Sequence, residues 1–481
     1  MSRRVLKTTL VLTVPIVLLS TPVLVLCVFI PFVGFLALPT LLATSVYLLY
    51  GTTWLCYAFL SPQARLPYSP KRCYKICREA ARWLYEAYRL NAPALAMDWS
   101  YRRVMVLGSK SRDHIIKENI PYGSYKGNKK LDVYLPPSNA RQYEASADQV
   151  DNQDGGDSVA PDEPAPVVIL ILAGGWGVFS DKRYFVQIAL TLRKKGMMVV
   201  VPDITLYPEG KAVDMVADIR RVLAWTARNA SEYGGDPNSI YLMGHGSGAH
   251  LALLTVVQEA VVRSRDAFWF SAYAKEAKEV RTKAKSPAFE DQDELDHDED
   301  EHFPEQRLTA GAGGGENIEV SAGIRRLEIW GGESVQIPKI KAMVLMGCIS
   351  DVIKHTRNEF KNGLEQISPL RKALGPSHAQ CLMASPSHLL FGAKQIINPK
   401  NLPQHVLLIH GGQDHSVPIV QSVLLKTLLQ GVHVRDVTLK AYRDLSHMEC
   451  LTALCGSRTS KYSSTIAGEI VNLVAKGEGW V

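Results

Sequence analysis

Charged residues are absent from a long N-terminal stretch of the chain, between Thr9 and Leu60. This run far exceeds the roughly 20 residues that one membrane-spanning helix needs. It also exceeds the apolar region of a cleaved signal peptide, and no small-residue cleavage site stands out, which disfavours that interpretation. We therefore predict two spans, at 9–30 and 35–60, joined by a tight turn near 31–34. A single bent or re-entrant span is the alternative.

Positive charge flanks this apolar run on both sides. The flanking basic residues are Arg3, Arg4 and Lys7 before it, and Arg65, Lys71, Arg72, Lys75 and Arg78 after it. Because Lys and Arg near membrane spans prefer the cytoplasmic side, we expect a hairpin with both ends in the cytosol. Residues 1–62 are thus predicted to be a membrane anchor. Residues 63–118 are predicted to be a basic juxtamembrane segment with an amphipathic helix at 71–90, which lies on an anionic membrane surface or packs against the main domain.

The sequence also lacks the patterns of several other protein classes. Its eight cysteines include no CxxC pair and no dense framework, so we expect reduced, structural thiols. It shows no basic surface interleaved with aromatic residues, so we expect no nucleic-acid partner. The acidic run 290–301 has nine carboxylates in twelve positions, but its spacing matches no calcium loop. We therefore expect neither a metal nor a cofactor.

After about residue 118, short apolar strands alternate with helices. The predicted strands are LDVYLP (131–136), PVVILILAGG (166–175), MMVVVPDI (197–204), SIYLMG (239–244), KIKAMVLMG (339–347), QHVLLIHGG (404–412) and VRDVTLKAY (434–442). Continuously apolar strands in such an alternation predict an α/β fold with a mostly parallel, doubly wound sheet over 119–481. A polar loop at 139–165 and an acidic, disordered insertion at 271–335 interrupt the alternation.

The stretch YLMGHGSGAH has the glycine spacing of a strand-turn-helix elbow but no serine at its tip. Such an elbow presents a nucleophile midway between two small residues, two positions from each. Gly244 and Gly248 have this spacing around Gly246, whereas Ser247 comes one position late. With Ser247 at the tip, the bulky His245 would lie where strand and helix backbones nearly touch. We therefore predict Gly246 at the tip, because glycine accepts the strained positive φ of that position.

Three further loops at the carboxyl ends of predicted strands complete a candidate active site, because ligands bind at that edge of a doubly wound sheet. The loop AGGWG carries Gly174 and Gly175, whose backbone N–H groups are suited to stabilise a developing oxyanion. Asp414, in IHGGQDHSVP, is placed to orient an imidazole, and His447, in YRDLSH, follows the last strand. Nucleophile, acid and histidine in this order along the chain are typical of hydrolases with a Ser-Asp-His triad.

The motifs from about 120 to 475 resemble the α/β-hydrolase superfamily in its esterase/lipase branch, and within it the isoprenylcysteine methylesterases. The segments that carry the resemblance are LDVYLP, ILAGGWGVFSDK, VVVPDITLYPEG, YGGDPNSIYLMG with the following GAH, LIHGGQDHSVP and YRDLSH. The resemblance implies the α/β-hydrolase fold for 119–481. It also implies a membrane-anchored enzyme of the endoplasmic reticulum or another endomembrane, acting on carboxyl methyl esters of prenylated cysteine.

Position by position, the resemblance assigns a role to each residue of the candidate site. Asp414 corresponds to the triad acid and His447 to the base. The oxyanion donors correspond to the amides of Gly174, Gly175 and Ser247. The family's nucleophile falls on Gly246, which has no side chain.

Three hypotheses about the nucleophile at this elbow are compatible with the sequence. In the first, the turn slips by one residue and Ser247 attacks the ester. In the second, Gly246 leaves room for a water that the His447–Asp414 pair deprotonates. In the third, the domain is catalytically silent and binds prenylated, lipid-like or protein ligands. The intact acid and histidine favour hydrolysis of an apolar or prenylated small-molecule or peptide ester. An arylformamidase-like or short-chain acetylesterase activity is the alternative among enzymes, since one scaffold carries several chemistries.

Overall fold

The computed structural model describes residues 3–61, 64–108, 112–123, 127–137, 164–177, 181–284, 324, 327–332, 335–456 and 460–479. Within these residues, eight strands form one sheet. The strands are β1 Ile116–Pro121, β2 Lys130–Tyr134, β3 Ala165–Leu172, β4 Met198–Pro202, β5 Gly235–His245, β6 Ala342–Met346, β7 His405–Gly411 and β8 Asp436–Tyr442. The α-helices are α1 Arg3–Val28, α2 Val33–Leu60, α3 Pro70–Arg89, α4 Ala92–Tyr101, α5 Val186–Arg193, α6 Ala212–Asn229, α7 Ser247–Ala284, α8 Val352–Asn362, α9 Leu370–Leu374, α10 His378–Met383, α11 Pro386–Gly392, α12 Val420–Gly431, α13 His447–Thr452 and α14 Ser463–Glu478.

Helices α1 and α2 form an antiparallel pair joined by residues 29–32. The start of α1 lies beside the end of α2, where the Lys7 ammonium is 4.0 Å from the centre of the Phe59 ring. Two stretches, Val5–Val28 and Val33–Leu60, are long and apolar enough to cross a membrane. Few of their residues are buried against the rest of the chain, unlike the core helix of a soluble protein. The predicted pair of apolar helices with a short turn is therefore present.

The strand order in the sheet is β1-β2-β4-β3-β5-β6-β7-β8. β2 pairs antiparallel with β1 and with β4, and all the other pairings in this sheet are parallel. The predicted mostly parallel sheet is confirmed. β1 was missed from the sequence because it is an edge strand with polar residues, IKENIP, and only one buried position.

Helices cover both faces of the sheet, and each face has its own apolar core. On β3, Val167 and Ile169 lie in one core, and Val168 and Leu170 lie in the other. Successive side chains of a strand point to opposite faces, so a strand between two cores is apolar at every position. This two-sided burial is the physical reason for the continuously apolar strand patterns.

Helix α7 extends beyond the point where the sequence analysis placed an insertion. The helix continues through residues 271–284, so the predicted start of the disordered insertion at 271 is wrong. The segment SAYAKEAKEVRTKA is rich in Ala, Lys and Glu, which favour helix more strongly than the acidic tract that follows. The acidic core at 290–301 and the polar stretch 139–163 lie outside the described residues.

Helix α3 is the predicted amphipathic helix, but its apolar stripe is buried only in its first half. Cys73 and Ile76 are buried, and the Thr53 hydroxyl of α2 donates to the Cys73 carbonyl at 3.3 Å. Leu84 and Tyr88, which continue the same stripe at helical spacing, are exposed. The first half of α3 thus packs against α2, and the second half turns an aromatic surface outward.

Candidate active site

A single residue, Gly246, forms the turn between β5 and α7. β5 ends at His245 and α7 begins at Ser247. The φ angle of Gly246 is 55°, in the left-handed region that glycine adopts without steric cost. The structure thus places Gly246 at the tip of the turn and Ser247 in the first position of the helix.

Gly244 and Gly248 lie where the strand and helix backbones approach each other. A Cβ atom on Gly244 would be 2.7 Å from the backbone N and Cα of Ala249. A Cβ atom on Gly248 would overlap the carbonyl oxygen of Ile171 on β3. Both contacts involve backbone atoms, so a larger residue at either position would force the strand and the helix apart.

Asp414 and His447 face each other beyond the ends of β7 and β8. The Nδ1–H of His447 donates to Oδ2 of Asp414 at 2.7 Å. The other carboxylate oxygen accepts from the backbone N–H groups of Ser416 and Val417, at 3.0 and 2.7 Å. Because an ionised carboxylate only accepts hydrogen bonds, the imidazole keeps its proton on Nδ1 and leaves Nε2 free to act as a base.

The Nε2 atom of His447 lies directly against the elbow tip. A Cβ atom on Gly246 would be 3.1 Å from it. On the other side, the backbone of Gly347, just after β6, passes beneath the pair. A Cβ atom there would be 3.0 Å from Nδ1 of His447 and 3.3 Å from Oδ2 of Asp414. The acid and the imidazole therefore converge over the bend that follows β5.

The protonation states of the pair follow from burial and mutual charge. Burial acts to raise the pKa of Asp414, but the charge of His447 and its hydrogen bond outweigh this effect and hold the pKa below its usual value. Burial acts to lower the pKa of His447, but the charge and hydrogen bond of Asp414, with a further contribution from Glu86, raise it above its usual value. The carboxylate is therefore ionised at neutral pH, and the imidazole is a stronger base than a free histidine.

The structure does not bring Ser247 to His447. The Ser247 hydroxyl is buried and accepts a hydrogen bond from the amide of Gly175 at 3.0 Å. Among the hydrogen bonds of the described residues, none joins this hydroxyl to His447. The reason is geometric, because Ser247 starts α7 and its side chain leaves the turn toward the loop after β3, whereas His447 faces Gly246.

The loop after β3 has an unusual run of left-handed residues. Gly174, Gly175 and Trp176 have φ angles of 44°, 68° and 73°. The Trp176 ring is buried against His250, with the ring centroids 4.8 Å apart. A Cβ atom on Gly175 would contact nothing within 4 Å. The loop is thus anchored by the tryptophan and leaves the Gly175 amide beside the start of α7.

His245 is a neighbour of His447 that the sequence analysis considered only for its bulk. The two rings are 4.5 Å apart between centroids, and the Nε2–H of His245 donates to the backbone carbonyl of His447 at 2.9 Å. Burial, and secondly the proximity of His447, lowers the pKa of His245 to about 3, so this imidazole is neutral. No local sequence pattern signals this contact, because the two residues are 202 positions apart.

Comparisons with known proteins find sequence similarity to esterases. The family model described as BD-FAE matches residues 158–290. A probable isoprenylcysteine alpha-carbonyl methylesterase from Arabidopsis thaliana is 28% identical over 184 residues, which are 38% of this chain and 37% of that protein. A probable isoprenylcysteine alpha-carbonyl methylesterase from Oryza sativa subsp. japonica is 28% identical over 184 residues, 38% of each. The chain is thus similar to esterases, and the family model and these relatives support the α/β-hydrolase resemblance that the motifs carry.

The chain matches less than half of the length of these curated relatives. A kynurenine formamidase from Danio rerio is also similar, at 30% identity over 138 residues, 29% of this chain and 38% of that one. Among solved structures, esterase B from Lactobacillus rhamnosis superimposes with a TM-score of 0.48 and 15% identity, covering 86% of this chain and 98% of that one. In the structure described here, the predicted acid Asp414 and the predicted base His447 come together, and the predicted nucleophile Ser247 lies apart from them.

Proposed function

We propose that this protein is a membrane-anchored carboxylic ester hydrolase in which His447, oriented by Asp414, activates a water molecule directly. One observation carries this proposal. The free Nε2 of His447 lies 3.1 Å from the place where a Cβ atom on Gly246 would be. The base is thus aimed at the position of a nucleophile, but the chain supplies no side chain there, and the nearby Ser247 hydroxyl is bonded to Gly175 instead.

The proposed reaction is a single hydrolytic displacement. Nε2 of His447 removes a proton from water while the water oxygen bonds to the ester carbonyl carbon. The amides of Gly175 and Ser247 donate hydrogen bonds to the carbonyl oxygen as it becomes an oxyanion, and Gly174 is a further donor. Collapse breaks the bond to the alkoxy group, which takes the proton from Nε2 and leaves as an alcohol, with the carboxylic acid as the second product.

Ser247 has a supporting part in this proposal. Its hydroxyl accepts from the amide of Gly175 at 3.0 Å and so holds the loop after β3 against the start of α7. When an ester binds, its carbonyl oxygen replaces the hydroxyl as the acceptor of that amide. A serine nucleophile normally accelerates such reactions by several orders of magnitude, so we expect slow turnover.

The proposed substrate is an apolar ester, with prenylcysteine methyl esters as the first class to test. Relatives named as isoprenylcysteine methylesterases support this choice. The two apolar helices support it as well, because they are long and apolar enough to cross a membrane and an anchor of this kind would hold the domain near lipid. Lipid-tethered substrates partition into the same membrane, which raises their local concentration around an anchored enzyme.

The proposed location is an endomembrane such as the endoplasmic reticulum, with the hydrolase domain facing the cytosol. The basic residues on both flanks of the hairpin support this orientation. The outward face of α3 supports a position at the membrane surface, because Leu84, Tyr85 and Tyr88 are 68%, 67% and 82% exposed. Tyrosine rings at this density are typical of the boundary between water and lipid headgroups.

Two measurements on the purified full chain test the proposal. The first is turnover of farnesylcysteine methyl ester, compared with a short acetate ester. The second is labelling by a fluorophosphonate, which reacts with activated serine. We expect turnover without labelling, and loss of turnover by about 10³-fold in His447→Ala, as expected for removal of the base. Labelling that disappears in Ser247→Ala would instead identify Ser247 as the nucleophile.

A second candidate function is ligand binding without catalysis. The absence of a side chain at Gly246 favours it. No turnover of any ester, combined with binding of a prenylated ligand, would establish this function. The similarity to a kynurenine formamidase favours an arylformamidase-like activity among the enzyme alternatives, and an aryl formamide included in the same assay tests it.

A further inference from the structure

The last turns of α3 contact both sides of the loop that carries His447. The Oε1 atom of Glu86 accepts a hydrogen bond from the Ser446 hydroxyl and another from the backbone N–H of Met448, at 3.1 Å. These two donors are the residues immediately before and after His447. One carboxylate therefore holds a residue on each side of the imidazole, through the side chain of Ser446 and the backbone of Met448.

A second α3 residue, one turn further on, holds the same loop. Arg89 donates to the backbone carbonyl of Asp444 at 3.2 Å and to the carboxylate of Glu449 at 2.7 Å. Glu449 in turn accepts from the Ser460 hydroxyl at 2.8 Å, outside the loop. Residues 444–449 are thus bound to α3 through side chains on one face of that helix.

Helix α3 is itself held by the rest of the chain. Arg72 forms an ion pair with Glu365, and Arg78 donates to the side-chain oxygen of Asn362 at 3.4 Å. From α2, the Thr53 hydroxyl donates to the Cys73 carbonyl of α3. The connection from the apolar hairpin to the His447 loop is therefore continuous, through α2, α3 and Glu86.

We propose that Glu86 is a positioning residue for His447, supplied by the helix that links the apolar hairpin to the hydrolase domain. It acts through Ser446 and Met448 and does not touch the reacting atoms. The effect of Glu86 on kcat can be measured only if the ester hydrolysis proposed above takes place. Its effect on the titration of the His447 imidazole can be measured without any substrate.

The electrostatic surroundings of His447 include groups from several elements. The titratable and charged groups that face it are Asp414 and His410 from the end of β7, His245 from the end of β5, His355 from α8 and Glu86 from α3. Burial lowers the pKa of His245 and His355 to about 3 and about 4, and it lowers that of His410 as well, so these imidazoles are neutral. Asp414 and Glu86 are therefore the negative charges that favour protonation of His447.

Two substitutions separate the charge of Glu86 from its hydrogen bonds. Glu86→Gln keeps an oxygen that accepts from Ser446 and Met448 but removes the negative charge. Glu86→Ala removes both. Glu469→Gln is the matched control, because Glu469 pairs with Lys440 at 2.8 Å, is not among the charges that act on His447, and its substitution changes the net charge equally.

The substrate-free measurement is the pH dependence of His447 acylation by diethyl pyrocarbonate, which reacts with neutral imidazole, followed by peptide mass spectrometry on the full chain. In Glu86→Gln we expect the midpoint of this reaction to move to lower pH, and in Glu469→Gln we expect no change. In the esterase assay, the acidic limb of the pH profile should move in the same direction. We expect Glu86→Ala to lower kcat by roughly tenfold with little change in KM, since small displacements of a base reduce the rate steeply.

An unchanged midpoint in Glu86→Gln, together with an unchanged kcat in Glu86→Ala, would overturn the proposal. If the wild-type protein hydrolyses no ester, the acylation midpoint alone decides, so failure of the proposed activity and failure of this inference are distinguishable. A thermal melt of each variant identifies any loss of kcat that comes from unfolding. In that case the Glu86→Gln midpoint again decides.

Discussion

The two sides of the candidate site differ in how completely they are built. On one side, Asp414 orients His447, backbone amides hold the carboxylate, and His245 and Glu86 hold the backbone around the imidazole. On the other side, the elbow has the close backbone contacts of a nucleophile turn but ends in Gly246, without a side chain. The proposed base therefore has a full set of supporting contacts, whereas the elbow tip has no side chain that could serve as a nucleophile.

This difference shows that the geometry of the base does not depend on a serine. Among the described residues, the hydrogen bonds that hold the His447 and Asp414 region come from the end of β5, the loop after β7, α3 and the pair itself, and none of them requires a hydroxyl at position 246. A pair that only stabilised the fold would not need an ionised acid, a free Nε2 and an open tip together, since buried charge is costly without a compensating use. The comparison therefore favours retained base chemistry, and substitutions on each side test it.

The largest gain of activity is expected from restoring a side chain on the incomplete side. Gly246→Ser places a hydroxyl next to Nε2 of His447, where the new Cβ is 3.1 Å from that atom and the ring must shift by a few tenths of an ångström. We expect fluorophosphonate labelling to appear and ester turnover to rise on the order of 10²-fold or more. Gly246→Ala is the control, because it adds the same Cβ without a hydroxyl and should neither label nor gain activity. A folded Gly246→Ser protein that does neither would show that the dyad is not competent.

The second effect is a loss on the complete side. Gly347 has a φ of 53°, and a Cβ atom there would be 3.0 Å from Nδ1 of His447 and 3.3 Å from Oδ2 of Asp414. Gly347→Ala should therefore separate the pair and lower kcat by roughly 10-fold to 100-fold, because misplacement of a base by a fraction of an ångström to one ångström is costly.

The control for this substitution is Gly196→Ala. Gly196 has a φ of 87°, and a Cβ atom there would contact nothing within 4 Å. Both alanines carry the same left-handed strain, about 1–2 kcal/mol, so both proteins should lose stability in a thermal melt. Only Gly347→Ala should lose turnover. Equal turnover in the two variants would mean that the contact with the pair has no catalytic consequence.

The sequence predicts the strands and the elbow of this protein better than it predicts the contacts that hold His447 in place. The apolar runs at 166–175 and 404–412 correspond to β3 and β7, because burial on both faces leaves a local pattern. The tip at Gly246 was also predictable, since the spacing of small residues records the close backbone approach. The polar edge strand β1 and the helical residues 271–284 were missed or misassigned, because neither has the apolar pattern of a core element. Glu86 leaves no local signal, as its partner Ser446 is 360 positions away.

The smallest effect is expected for Ser247→Ala. This substitution tests whether the nucleophile is Ser247 or a water beside Gly246. Ser247→Ala removes the hydroxyl that accepts from the Gly175 amide at 3.0 Å, and it keeps the backbone amide at 247. The freed Gly175 amide then donates to a substrate oxygen without competition. One hydrogen bond is worth about 1 kcal/mol, so turnover should rise by no more than roughly fivefold.

Thr255→Ala, which removes a buried hydroxyl bonded to the Leu251 carbonyl of the same helix, should leave turnover unchanged. A loss of activity in Ser247→Ala comparable to that of His447→Ala would mean that the helix start moves in solution and that Ser247 attacks the ester. The missing side chain at Gly246 would then reflect the displacement of the nucleophile by one residue, and a catalytic water would not bind there.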